Sequence, residues 1–316
     1  LPAPPRLSHG YCATQNRICL LVETHSLKPF SNRVYSTKSM MEHSISFVNE
    51  NHKELISLNK QADRETAKYY LSTKKKFPLV LKGNGKFDKY LFKGFEWYDE
   101  HSELTGSTVR KYTNKPLEIE IPIFNKANSE KKISVPVAYL IPQQFSEIID
   151  VIKTHQIKFN VLKSSKNIKV EKYRFEDVRF APRPYEGRQL PSFKCNAFIE
   201  KVDVDAGTLI VYTNQRQLRV IVNLLEPEAP DSFVNWGFFN AFFERKEYAE
   251  AYVMEPYAKQ MMKEDSSLRN EFYKKLNEDE SFRNNGGERL DFFYKRSPFY
   301  DRGENVYPIL RMVNFK

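Results

Sequence analysis

The sequence predicts a mixed fold: a short α/β segment, then a mostly antiparallel, sandwich-like β domain, then C-terminal helices. Three observations predict it. The apolar run Ile18-Cys19-Leu20-Leu21-Val22 stops abruptly at Glu23-Thr24-His25, the pattern of a strand buried on both faces. Beyond Thr37, Met41, Ile45, Val48, Leu55 and Ala62 recur at three-, four- and seven-residue steps, which is a helical stripe able to cover a sheet. Between Ser72 and Asn223, short stretches of β-branched and aromatic residues alternate with turn signals such as Gly83-Asn84-Gly85 and Asp205-Ala206-Gly207, as in a β domain.

The elements follow in order. Lys28-Pro29 keeps the chain out of helix after the first strand, because proline disfavours the α region for its predecessor. The long helix then runs to Tyr70, and a boundary falls at 71–77. Strands are expected at 79–82, 90–98, 108–112, 117–124, 133–140, 159–162, 168–180, 193–202, 208–213 and 218–222. One helix interrupts them at 142–155, with Phe145, Ile148, Ile149 and Ile152 on one face. Asp231 or Ser232, after Pro230, is a candidate N-cap for a helix apolar nearly all round, carrying Phe233, Trp236, Phe239 and Phe242. Leu268, Phe272 and Leu276 mark another helix at 267–277, and 307–311 reads as a last strand. The expected divisions are 1–71, 72–226 and 227–316.

Composition excludes several classes. A chain of 316 residues with 41% hydrophobic and 14% aromatic residues and only 11 glycines fills a core and is neither disordered nor of low complexity. The net charge of +10 invites nucleic acid, but the lysines are scattered among Glu and Asp. The densest runs, Lys74-Lys75-Lys76 and Lys131-Lys132, are short, so no nucleic-acid partner is expected. No stretch approaches the roughly 18 apolar residues of a membrane span. Three cysteines (Cys12, Cys19, Cys195) without a CxxC form neither a disulfide framework nor a structural zinc site. The opening LPAPPRLSHGY has no charged segment followed by an apolar one, so it is not a signal peptide, and the chain reads as beginning inside a larger protein.

The chemistry centres on Glu23. Ligand chemistry in open α/β sheets collects at the carboxyl ends of strands. A carboxylate half desolvated there has a raised pKa and suits a general base. On the residues alone, a glutamate after a buried strand is more often a solvated loop residue or a helix-capping partner. The pattern GYxxxxNRxxLLVETHSLKPF over 10–30, together with Arg183-Pro-Tyr-Glu-Gly-Arg188, the stretch from Pro227 to Tyr257 and Arg289-Leu-Asp-Phe-Phe-Tyr-Lys-Arg-Ser-Pro-Phe-Tyr300, resembles the carboxypeptidase A-like zinc metallopeptidases. The likeness is to a bacterial branch with a long C-terminal extension, of which the chain looks like a C-terminal fragment.

That resemblance implies a hydrolase acting on a peptide substrate. Glu23 matches the family's general base, which activates a zinc-bound water and passes the proton to the leaving amine. His25, Arg17 and Tyr11 are the candidate substrate-binding residues. The family holds one zinc ion with an H-x-x-E pair and a later His. None of the six histidines here (His9, His25, His43, His52, His101, His155) is followed by Glu at the third position. The zinc ligands are therefore expected upstream of residue 1, with none in this chain. A periplasmic or secreted location follows from the resemblance. The alternative is a non-catalytic β-rich module that binds peptide or glycan.

Overall fold

A computed structural model describes residues 2–245 and 248–313, the side chain of Ala67 excepted. In chain order its elements are α1 (Ser8–Thr14), α2 (Phe30–Thr73), β1 (Phe77–Gly83), β2 (Asp88–Ser102), β3 (Ser107–Ile123), β4 (Ala127–Ile133), β5 (Ala138–Ile141), α3 (Ser146–Thr154), β6 (Asn160–Val161), β7 (Lys166–Phe180), β8 (Pro191–Val204), β9 (Leu209–Tyr212), α4 (Leu218–Leu225), a 3-10 turn (Asn240–Phe243), α5 (Ala251–Glu264), α6 (Ser266–Glu278), α7 (Glu280–Asn284), α8 (Gly286–Tyr294) and β10 (Leu310–Met312). The sheets are antiparallel wherever their register is defined. Among the described residues no helix is long and apolar enough to cross a membrane. The chain divides into two compact units, Leu1–Lys163 with Gly207–Asn235 and Arg311–Lys316, and Ser164–Ala206 with Trp236–Leu310.

In the first unit, β1 pairs with β4 and β2 with β3, while β6, β9, β5 and β10 are neighbours in that order. β5 is wholly buried, with Tyr139, Leu140 and Ile141 at zero exposure, and α3 lays Ile148, Ile149 and Ile152 into the interior. A second cluster joins Phe77, Leu79 and Ile133 to Leu218, Val222 and Ala229, with Tyr70 packed against it. The 44-residue α2 starts directly after Pro29 and ends at Lys74, which takes the left-handed conformation at φ 55°. Left-handed residues commonly end helices. Stripes of apolar residues on α2 are right for a helix, yet Phe30, Val34, Met41, Ile45 and Val48 stay exposed.

Three expectations need correction. The run 18–22 forms no strand and is not buried. Five apolar residues define a buried strand only when neighbouring strands supply their hydrogen bonds, and no strand of the described residues pairs with them. Residues 218–222 lie in helix α4, not a strand; five of the helix's eight residues are buried, and that packing overrides the strand preference of β-branched Val220, Ile221 and Val222. The helix expected from Asp231 is a series of turns, ending in the 3-10 turn. Gly237 sits at φ +73°, and a Cβ there would come within 2.7 Å of the Gln189 carbonyl oxygen, so a left-handed glycine interrupts any helix through this point.

A buried polar cluster ties the first unit together. The Tyr139 hydroxyl donates to Glu226. Arg311 Nε lies 2.9 Å from Glu226 Oε1, and its guanidinium also donates to the Ser134 carbonyl at 2.5 Å. Glu226 is 1% exposed and Arg311 5%. Burial pushes the Arg311 guanidinium below its ordinary value, with Tyr139 opposing that shift.

The second unit pairs β7 with β8 in one long hairpin. Its connection holds the Arg183–Arg188 stretch, where Glu186 and Gly187 both take positive φ and the Arg188 guanidinium lies 4.1 Å from the Phe238 ring centroid. Helices α6, α7 and α8 each begin at a capping side chain: Asp265 accepts from Ser267 and Leu268 N–H, Asp279 from Phe282 N–H, and Asn285 from Glu288 N–H. Such caps satisfy amides that have no intrahelical partner. Behind them Phe272, Phe282, Phe292 and Phe293 pack together with Met254 and Leu268. Phe282→Ala is expected to cost about 3–5 kcal/mol, read as a lowered urea midpoint. A loss near zero would mean the ring is not held by this cluster.

Candidate functional site

The residues singled out by sequence lie on α1 and on the irregular segment that joins it to α2. Within that segment the apolar run is largely solvent-facing: Ile18 is 71%, Leu20 62% and Leu21 48% exposed. Glu23 is exposed and makes no hydrogen bond or ion pair among the described residues. His25 is exposed as well, and its Nδ1 accepts from the Leu27 N–H at 3.3 Å, closing a tight turn.

Arg17 is held elsewhere. Its guanidinium makes a two-pronged contact with Asp63 on α2, at 3.0 and 2.9 Å, and Asn16 donates to the same carboxylate at 3.2 Å. Burial alone would raise the Asp63 carboxyl, but hydrogen bonds from Arg17 and Asn16, with the Arg17 and Arg216 charges, hold it below its ordinary value. The fork geometry of arginine suits such a contact, and here it anchors the chain leaving α1 to the last third of α2.

Tyr11 is engaged too. Its hydroxyl lies 2.8 Å from His155 Nδ1 and accepts from Gln15 Nε2 at 2.7 Å. The phenol oxygen has lone pairs for both neighbours as well as its own proton, so the tautomer of His155 sets which of the two atoms donates. Burial pushes the His155 imidazole below its ordinary value. A histidine whose folded pKa is depressed gives stability that is complete above the unfolded pKa of about 6.5 and is lost as pH falls below it. The protein is therefore expected to lose stability between pH 7.5 and pH 5 (roughly spanning that value), and His155→Gln to lose less over the same range. Equal slopes for the two in urea titrations would contradict this assignment.

Thus Tyr11 pairs with His155 and Arg17 with Asp63, and neither bonds to Glu23. Sequence reading did not find Asp63 and His155 as their partners. They lie 46 and 144 residues from Arg17 and Tyr11, and no local periodicity signals a contact at such separations. The described residues bring together no group of three His, Cys, Asp or Glu able to hold a metal ion, so these side chains do not fit a zinc site.

No protein-family model matches the chain, and no solved structure matches it. Among curated proteins it is similar to Carboxypeptidase 2 of Trichophyton tonsurans, 31% identical over 104 residues, which is 33% of this chain and 19% of that protein. Carboxypeptidase 2 of Trichophyton rubrum is 30% identical over the same length. The chain thus spans 19% of the length of these fungal relatives, and the likeness supports a carboxypeptidase-like relationship over that third of the chain.

Proposed function

We propose that this chain is part of a carboxypeptidase-like hydrolase acting on a peptide substrate, and that Glu23 is its general base. In this reading residues 1–71 complete a catalytic domain, 72–226 form an accessory β-rich region and 227–316 a helical C-terminal region. The zinc ligands come from residues outside this chain, and His25, Arg17 and Tyr11 lie around the substrate cleft. The observation that supports the reading is the exposed apolar run directly before Glu23. Leaving Ile18, Leu20 and Leu21 in water forfeits about 1.5–3 kcal/mol for each side chain that could be fully buried. Exposed apolar surface on this scale marks an interaction face, and a sheet of the catalytic domain would cover it. The carboxylate would then stand at the carboxyl end of a buried strand, where ligand chemistry collects in open α/β sheets.

The test is hydrogen exchange. When the chain is joined to the metal-binding part, amides of 18–22 are expected to exchange at least about tenfold more slowly than in the chain alone, since strand pairing closes them. Unchanged exchange would remove the support for the reading.

A second reading is a non-catalytic module that binds peptide or glycan. It is favoured by the β2–β3 hairpin, on which Tyr90, Phe92, Phe95, Trp97, Tyr98 and Tyr112 are all exposed. In the second reading, Glu23→Gln leaves function intact; in the first it abolishes turnover.

A further inference from the structure

A cleft in the first unit, of about 440 Å³, is lined by sixteen of the described residues, none of them a carboxylate. One wall is the Pro2–Pro5 segment; another is built by Tyr70, Phe77 and Leu79. Tyr70 and Phe77 meet edge to face with ring centroids 5.1 Å apart. This is the size of an ordinary small-molecule site, which is mostly apolar with a few placed polar groups.

Three polar side chains give the cleft its sign. Helix α4 is buried along Leu218, Val220, Ile221, Val222 and Leu225. Arg219 and Asn223, one turn apart, form its polar stripe and face the cleft. The Arg219 guanidinium makes no hydrogen bond or ion pair among the described residues, and its Nε is buried. His9 Nδ1, also in the lining, is buried and has no hydrogen-bond partner among the described residues. Burial pushes the Tyr70 phenol up, and the nearby Arg219 charge draws it partly back. A half-buried cation with no counter-charge costs free energy, as does an orphaned buried ring nitrogen, and each such group calls for a partner. One ligand answers both: an anion at Arg219 whose apolar body lies along Tyr70, Phe77 and Leu79.

We infer that this cleft binds a small carboxylic acid with an apolar body, its carboxylate on Arg219 and within reach of His9. A planar carboxylate fits the guanidinium fork two-pronged, and the absence of acidic lining leaves nothing to compete for it. Gly10 sets the opposite wall: a Cβ there would come within 2.2 Å of the Pro4 carbonyl oxygen, so only glycine lets the Pro2–Pro5 segment close over α1. The site is independent of Glu23, which does not line it.

The experiment uses the full chain and isothermal titration with 3-phenylpropionate, its neutral amide, and octanoate. The acid is expected to bind at least about tenfold more tightly than the amide, one charge-assisted contact being worth roughly 1.5–3 kcal/mol. Arg219→Met is expected to abolish that preference, and Arg219→Lys to keep part of it. Tighter binding of 3-phenylpropionate than of octanoate identifies a ring as the body, and the reverse identifies an alkyl chain. Gly10→Ala is expected to weaken binding of either acid. Equal affinity for acid and amide in the unaltered chain, no binding of either acid, or an acid preference untouched in folded Arg219→Met would each overturn the inference.

Discussion

Arg311→Met is expected to lower the unfolding free energy by about 3–5 kcal/mol. The reason lies in what it leaves behind. Glu226 is 1% exposed, and Arg311 is the cation that faces its carboxylate beside the Tyr139 hydroxyl. Taking one member from a buried ion pair strands the other charge in a low dielectric, and that penalty exceeds the worth of the pair itself. Replacing both charges, Glu226→Gln with Arg311→Met, is expected to recover part of the loss, because the double variant buries no net charge. Urea denaturation of the two variants decides the matter. A loss under about 1 kcal/mol, the range of solvent-exposed ion pairs, would mean that the cluster is hydrated.

How much of this was legible in the sequence differs by element. Helix α6 was readable because Leu268, Phe272 and Leu276 repeat at one-turn spacing. The hairpin strands β7 and β8 were readable because short stretches of β-branched and aromatic residues at 168–180 and 193–202 are a local signal. Helix α4 was not, because Val220-Ile221-Val222 is a β-branched run of strand-like local preference, and the one-turn spacing of Arg219 and Asn223 is a single repeat. The turns after Asp231 were misread for another reason: Gly237 adopts a left-handed conformation that apolar patterning does not encode. For the candidate site, sequence named Glu23, Arg17, Tyr11 and His25, but two of those side chains are committed to Asp63 and His155 through contacts distant in the chain. The buried strand expected at 18–22 depends on partner strands, and no pattern within the run itself reports whether they are at hand.

That same run frames the second large expectation. A general base contributes about 10²–10⁴ to rate when it is positioned to take a proton, and glutamine keeps the shape of the side chain while losing the proton acceptor. On the proposed reading, in which metal-ligating residues outside this chain complete the site, Glu23→Gln in the joined protein is expected to lower kcat by about 10²–10⁴ with bound metal and KM little changed. The chain alone is expected to show negligible hydrolysis, because its described residues assemble no metal site.

The most direct measurement is peptide hydrolysis by the joined protein, with metal content determined in the same preparations, for the unaltered sequence and for Glu23→Gln. The account predicts chelator-sensitive turnover in the first and a loss of at least about a hundredfold in the second at equal metal. Turnover that survives Glu23→Gln undiminished, or chelator-sensitive hydrolysis by residues 1–316 on their own, would contradict it.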